Sequence, residues 1–187
     1  MTGCLIFVVG PSGVGKDSLL AHARSSLENN QDFRFVRRHI TRPATAGGED
    51  HHALSRDEFA DRLAAERFAL HWDSHGLRYG IDREIDAWLR AGYTVVLNGS
   101  REHLPVARQC YPGMRVIAIT ASPAALAQRL AQRRRESTDE IIARIAHQPP
   151  LPEGLPVIEI SNDDSLVAAG HALVDALQTH RQAVTEG

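Results

Sequence analysis

Lysine is almost absent from this chain: of 21 lysines and arginines together, one is Lys16 and the other 20 are arginine. A chain that otherwise uses arginine for positive charge keeps lysine where a compact ammonium does what a planar guanidinium does not. Cysteine is scarce as well. Cys4 and Cys110 stand far apart and fit no metal-ligand or redox spacing, and Cys4, at the head of an apolar run, reads as a small buried hydrophobe. That run, residues 5–9, falls far short of the roughly 20 residues a membrane-spanning helix needs, and neither a charged leader nor a small-residue cleavage site is in view. Aromatic residues make up 5% of the chain and the net charge is -2, so neither a stacking platform nor a basic field for nucleic acid is present. These absences lead us to expect a cytoplasmic protein, one domain of 187 residues, with no membrane or nucleic-acid partner.

What is present begins around the lone lysine. Gly10-Pro11-Ser12-Gly13-Val14-Gly15-Lys16-Asp17-Ser18 has the spacing of a phosphate-binding loop. Its glycines permit the positive φ values and close backbone approach that such a loop needs, and the following helix N-terminus adds partial positive charge. Lys16 can then follow charge developing on a transferred phosphoryl group. The usual Ser or Thr after the lysine, a magnesium ligand, is replaced by Asp17, with Ser18 next. A carboxylate is also a hard oxygen ligand, so Asp17 reads either as part of an Mg²⁺ site with Ser18 or as a helix cap.

Short apolar runs alternate with amphipathic stretches. Strands are expected at residues 5–9, 33–38, 93–97, 115–119 and 157–160. Helices are expected at 18–27, from the capping box at 55–58 to about 67, at 82–91 ending at Gly92, from Ser122-Pro123 through Leu130, from a second capping box at 137–140 to about 147, and from Asp164 or Ser165 onward. The pattern predicts an α/β fold: a parallel five-stranded sheet of P-loop type, covered by helices on both faces, with the phosphate loop at the C-terminal strand edge. Residues 41–80 break the rhythm and look like a small inserted subdomain. The core would then be 1–38 and 82–187, with the insertion at about 39–81.

Arg129, Arg133, Arg134 and Arg135 fall close together, and Arg129 and Arg133 share a helix face, with Arg144 further on. Following a phosphate loop, such a cluster suits a lid at about 129–144, with Arg134 and Arg135 in solvent. Ten histidines invite a metal hypothesis, yet His71 and His75 lie in a segment that reads as strand or loop, and no cysteine supports zinc. Most read as polar surface residues, and Trp72 and Trp88 as core packing.

Taken in order, the phosphate loop, Thr41-Arg42-Pro43, Gly48-Glu49, Tyr79-Gly80, Arg129-Leu130 with Arg133, Arg144-Ile145 and Asn162-Asp163-Asp164 resemble the guanylate kinase family over nearly the whole chain. That resemblance implies ATP as phosphoryl donor with Mg²⁺, Thr41 and Arg42 at an acceptor phosphate, the turn at Asn162 and Asp163 near adenine, and Lys16, Arg129, Arg133 and Arg144 as catalytic residues. The departures are equally informative. A second arginine after Thr41-Arg42-Pro43 is missing, the loop that follows is short, and His51 or His52 stands where a phosphate-holding tyrosine would be. Asn98-Gly99-Ser100-Arg101 replaces the acidic residue after the third core strand. With Ala53-Leu54-Ser55, Glu84-Ile85-Asp86 and His103-Leu104-Pro105, these positions are similar to one branch of the family, the ribose 1,5-bisphosphate phosphokinases of phosphonate catabolism. The branch implies a small-molecule acceptor whose phosphates would meet Arg42, Arg78 and Arg101, with Glu49 and Ser100 on ribose hydroxyls and Tyr79, Gly80 and Asn98 completing the acceptor site. A nucleoside monophosphate kinase acting on GMP and a non-catalytic scaffold module are the competing readings, and the complete phosphate loop speaks against the second. The oligomeric state stays open, a homodimer included.

Overall fold

The computed structural model describes residues 3–46, 49–132, 150–151 and 154–185. Cys4–Val9 (β1) is apolar and buried at every position, which a strand tolerates only when both faces of its sheet are covered. Its side chains sort by alternation. Cys4, Ile6 and Val8 pack with Leu19 and Ala23 of Lys16–Ser26 (α1) and with Leu173 and Leu177 of Leu166–Thr185 (α6). Leu5, Phe7 and Val9 face a second core with Val95 and Leu97 of Thr94–Asn98 (β7) and with Leu70, Trp72 and Ile81 of a smaller sheet.

The main sheet has the order β2-β7-β1-β8-β9, with Phe33–Phe35 as β2, Arg115–Thr120 as β8 and Val157–Ser161 as β9. Every pairing in it is parallel, as the alternation of strand and helix predicts. Parallel strands bring their C-terminal ends to one edge, so Gly10, Gly99, Ala121 and Asn162 emerge together. Pro123–Gln132 (α5) begins as read, with Ser122 Oγ accepting from Ala125 N at 3.2 Å. Gly99 admits no side chain: a Cβ there would stand 1.8 Å from the Phe7 ring.

The segment between the core elements is richer in strand than its sequence suggests. His39–Ile40 (β3), His52–Ala53 (β4), Phe68–Ser74 (β5) and Leu77–Asp82 (β6) form a second sheet in the order β4-β3-β6-β5. β5 and β6 are an antiparallel hairpin closed by His75 and Gly76 at φ 50° and 73°, so both turn residues are left-handed. Histidine is an uncommon choice there, which hides the hairpin from a search for Asn-Gly or Asp-Gly. Arg56–Ala64 (α2) opens on the expected capping box, Ser55 Oγ accepting from Glu58 N at 3.1 Å and Ser55 N donating to Glu58 Oε2 at 2.7 Å, but it ends three residues short of the expected Arg67. β2 also stops earlier than expected, at Phe35, freeing Arg37 and Arg38 from the ladder. Glu84–Arg90 (α3) ends before Gly92, at φ 88°, as read, while Leu104–Cys110 (α4) was not anticipated. The helix expected at about 137–147 lies outside the described residues.

His39 ties the second sheet to pH. Its ring stacks on His52 (4.7 Å) and meets Phe68 (5.6 Å), with Nε2 3.9 Å from Asp82 Oδ2. Burial, then the neighbouring His52 and Arg62, pull its pKa from 6.5 down to about 4, against an opposing pull from Asp82. The native ring therefore stays neutral where the unfolded ring takes a proton. The stability this gives is whole above pH 6.5 and is lost as pH falls toward 4. Urea midpoints followed by tryptophan fluorescence should decline across that window, and His39→Gln should flatten the decline.

Candidate active site

Val9 hands the chain to a loop whose geometry only glycine supplies. Gly13 and Gly15 have φ of 84° and 93°, and Gly15 is also the N-cap of α1. A Cβ on Gly15 would lie 2.7 Å from Asn162 Nδ2, and that amide donates to Val14 O at 2.7 Å. Asn162 is buried and thus braces the loop from the end of β9. Asp163 closes the neighbouring corner, accepting from Ser122 N at 2.6 Å and Ser161 Oγ at 2.7 Å. Arg129 adds a third strut by donating to Asn162 O at 2.6 Å, while its Nη1 is buried with no hydrogen-bond partner. Arg133 and Arg144 lie outside the described residues.

Lys16 donates to Gly10 O (2.5 Å) and Pro11 O (3.3 Å), which folds its ammonium across the loop. Burial lowers its pKa from 10.5 to about 8. Asp17 and Glu49 oppose that shift, and Arg38 and Arg101 add to it. The N-cap of α1 is Gly15, so Asp17 lies inside the first turn rather than at the cap position. Its Oδ1 instead accepts from Asn98 Nδ2 at 2.9 Å, across from the end of β7. The same amide donates to Glu49 Oε2 at 3.3 Å. Asn98 thus places a neutral donor between two carboxylates, where an acid would add a third negative charge. Glu49 in turn accepts from Arg38 Nε at 2.9 Å and from Arg38 Nη2 in a forked pair, both side chains being nearly buried.

One cavity of about 500 Å³ collects these groups. The phosphate loop with Lys16, Asp17 and Ser18 lines one end, and Arg38, Arg42, Glu49, Trp72 and Tyr79 line the other, with Asn98, Ser100 and Arg101 between. Arg42 Nε and Arg101 Nε are both buried without a partner, two unused donors in the walls of one cavity. Thr41, Arg78 and Gly80 do not line it. Thr41 Oγ1 accepts from Arg78 N at 2.8 Å, Arg78 turns to Asp73 and the Phe59 ring, and a Cβ on Gly80 would meet Phe68 at 2.6 Å. All three make their contacts within the second sheet and its helix, through β3, β5, β6 and α2. His51 is buried with Nδ1 2.9 Å from Glu49 O and Nε2 3.1 Å from Arg42 O, so it ties Arg42 to Glu49 across the loop. His52 faces away, against His39.

Sequence reasoning missed Arg38, which lay inside an expected strand. It also read Trp72 as core alone, whereas one side of its ring belongs to the cavity. The early end of β2 is the signal that would have found Arg38. Among the described residues no group of three or more His, Cys, Asp or Glu gathers as a metal site, and no helix is long and apolar enough to cross a membrane.

The chain is similar to known proteins over most of its length. The guanylate kinase family model matches residues 3–151. A ribose 1,5-bisphosphate phosphokinase PhnN of Thiobacillus denitrificans is 52% identical over 94% of this chain and 93% of its own length. A protein of the same name from Burkholderia mallei is 50% identical, covering 93% and 95% of the two chains. Among solved structures, the guanylate kinase of Anaplasma phagocytophilum superposes with a TM-score of 0.69 at 18% identity, covering 96% of this chain and 87% of that one, a likeness of fold. The chain belongs to the guanylate kinase family and, within it, to the branch of the ribose 1,5-bisphosphate phosphokinases.

Proposed function

We propose that the chain transfers the γ-phosphoryl group of ATP to the 1-phosphate of ribose 1,5-bisphosphate, giving 5-phosphoribosyl 1-diphosphate and ADP. The observation that carries this reading is a cavity with a complete phosphate loop at one end and two unpartnered arginine N–H groups in its walls, in a chain half identical to proteins named for that reaction. An oxygen of the acceptor's 1-phosphate attacks the γ-phosphorus as the bond to the β-phosphate oxygen breaks. The nucleophile needs no side-chain base, because a phosphate monoester with a second pKa of about 6 is already anionic. The protein's work is positioning and charge compensation.

In this reading the backbone amides of residues 10–15 cradle the donor phosphates, and Lys16 swings from the loop carbonyls to the outer ones. Arg42 and Arg101 receive the acceptor's phosphates, satisfying their open donors. Residues 39–81 serve as the acceptor-binding insertion. The donor set fits a hard divalent cation: Asp17 is fixed through Oδ1 by Asn98, and Ser18 lines the cavity beside it. Mg²⁺ held there would offset charge on the donor phosphates.

Four measurements test this. With ATP and Mg²⁺, ribose 1,5-bisphosphate should be converted far more efficiently than GMP; efficient use of GMP with none of the sugar compound would overturn the substrate. Because Lys16 titrates near 8 and a bound triphosphate favours its charged form, nucleotide binding should take up a proton and weaken as pH rises above that value. Calorimetry in buffers of different ionisation enthalpy reads this directly. Lys16→Ala should abolish the dependence and lower kcat by about 10²-fold or more. Arg42→Ala should raise KM for the acceptor at least about tenfold, the loss of one charge-assisted hydrogen bond, while leaving KM for ATP within about twofold.

A further inference from the structure

Trp72 and Tyr79 are cross-strand partners on β5 and β6, and their rings are nearly parallel, 5° apart with centroids at 5.4 Å. Both line the cavity. An aromatic face in a ligand cavity attracts flat π systems and cations alike. Trp72 is stacked by His103 at 5.1 Å as well as by Tyr79, and against the remaining surface of the pair sits a cation. The Arg38 guanidinium carbon is 4.9 Å from the Tyr79 centroid and 5.9 Å from the Trp72 centroid. With the 5.4 Å between the rings these distances close an almost equilateral triangle, so the guanidinium abuts both rings at once. It is not free to leave. Glu49 holds it through the forked pair, side-chain exposures being 11% and 12%, and Glu49 is itself tied through Asn98 to Asp17 of the phosphate loop.

We propose that Arg38, clamped by Glu49 against Trp72 and Tyr79, occupies the face on which a nucleobase would stack and so confines the acceptor to sugar phosphates that carry no base. A nucleotide entering the cavity would have to lift the guanidinium from both rings and strand the Glu49 carboxylate in a nearly buried position. A phosphorylated sugar has no flat apolar face to place there and pays no such penalty. Arg38 thereby acts as a specificity-determining residue. The inference rests on the acceptor end of the cavity assigned above.

The test compares wild-type protein with Arg38→Ala and with the double variant Arg38→Ala, Glu49→Gln, which removes the stranded carboxylate. Each is titrated calorimetrically with GMP and, as a base-free control, with ribose 5-phosphate. GMP should bind at least tenfold more tightly to the double variant than to wild type, with no comparable gain for ribose 5-phosphate. Arg38→Lys, which keeps the charge opposite Glu49 but not the planar group, should show a smaller gain of the same sign and serves if the alanine variants do not fold. No gain for GMP in any folded variant, or an equal gain for both ligands, would overturn the proposal. Turnover of ribose 1,5-bisphosphate by the wild type is scored separately. Its absence alongside a GMP gain in the variants would reject the substrate while leaving the role of Arg38 standing.

Discussion

A partly buried ammonium at the edge of a parallel sheet sets the terms for everything around it. Taking the charge of Lys16 out of water costs several kcal/mol unless neighbours compensate, and its lowered pKa reports that compensation is partial. Asp17 and Glu49 supply it, Arg38 balances Glu49, and Asn98 keeps the two carboxylates apart by donating to both. The result is a hydrogen-bonded chain from the phosphate loop to the aromatic wall. Removing one member leaves another buried and unpaired, which is where single substitutions hurt most.

Two departures from the guanylate kinase pattern become intelligible together in this light. An acid in place of the residue after the phosphate-loop lysine and an amide in place of the acid after β7 look unrelated in the sequence. In the structure they touch, at 2.9 Å. The carboxylate of Asp17 lies in the first turn of the helix, where the helix dipole favours it, and the amide of Asn98 is its hydrogen-bond partner. The same exchange leaves the amide a second hydrogen for Glu49, and through Glu49 it fixes Arg38. The phosphate loop and the aromatic wall of the cavity are therefore joined by side chains as well as by the sheet.

The bracing of the phosphate loop follows from topology in a comparable way. Because β1, β7, β8 and β9 all run parallel, residues more than a hundred positions apart reach the same edge. Asn162 can then donate to Val14, Arg129 can donate to Asn162, and Asp163 can accept from Ser122. The turn at 162–163, implied by resemblance to lie near adenine, has a structural task of its own: its buried amide leaves no room for a side chain at 15 and donates to Val14 O.

By itself the sequence determined the strand alternation, the glycine loop, the capping box at Ser55 and the burial of β1 on both faces, since each depends on neighbours within a few residues or on a short continuous apolar run. It also carried the family, through an ordered set of short motifs. It did not show the β5–β6 hairpin, whose turn uses a left-handed histidine, nor that Arg38 lines the cavity while Thr41, Arg78 and Gly80 do not. Those facts hinge on which way a side chain points from its strand and on where a strand stops. A one-residue difference reverses the first, and only the packing of the second sheet against the first decides either.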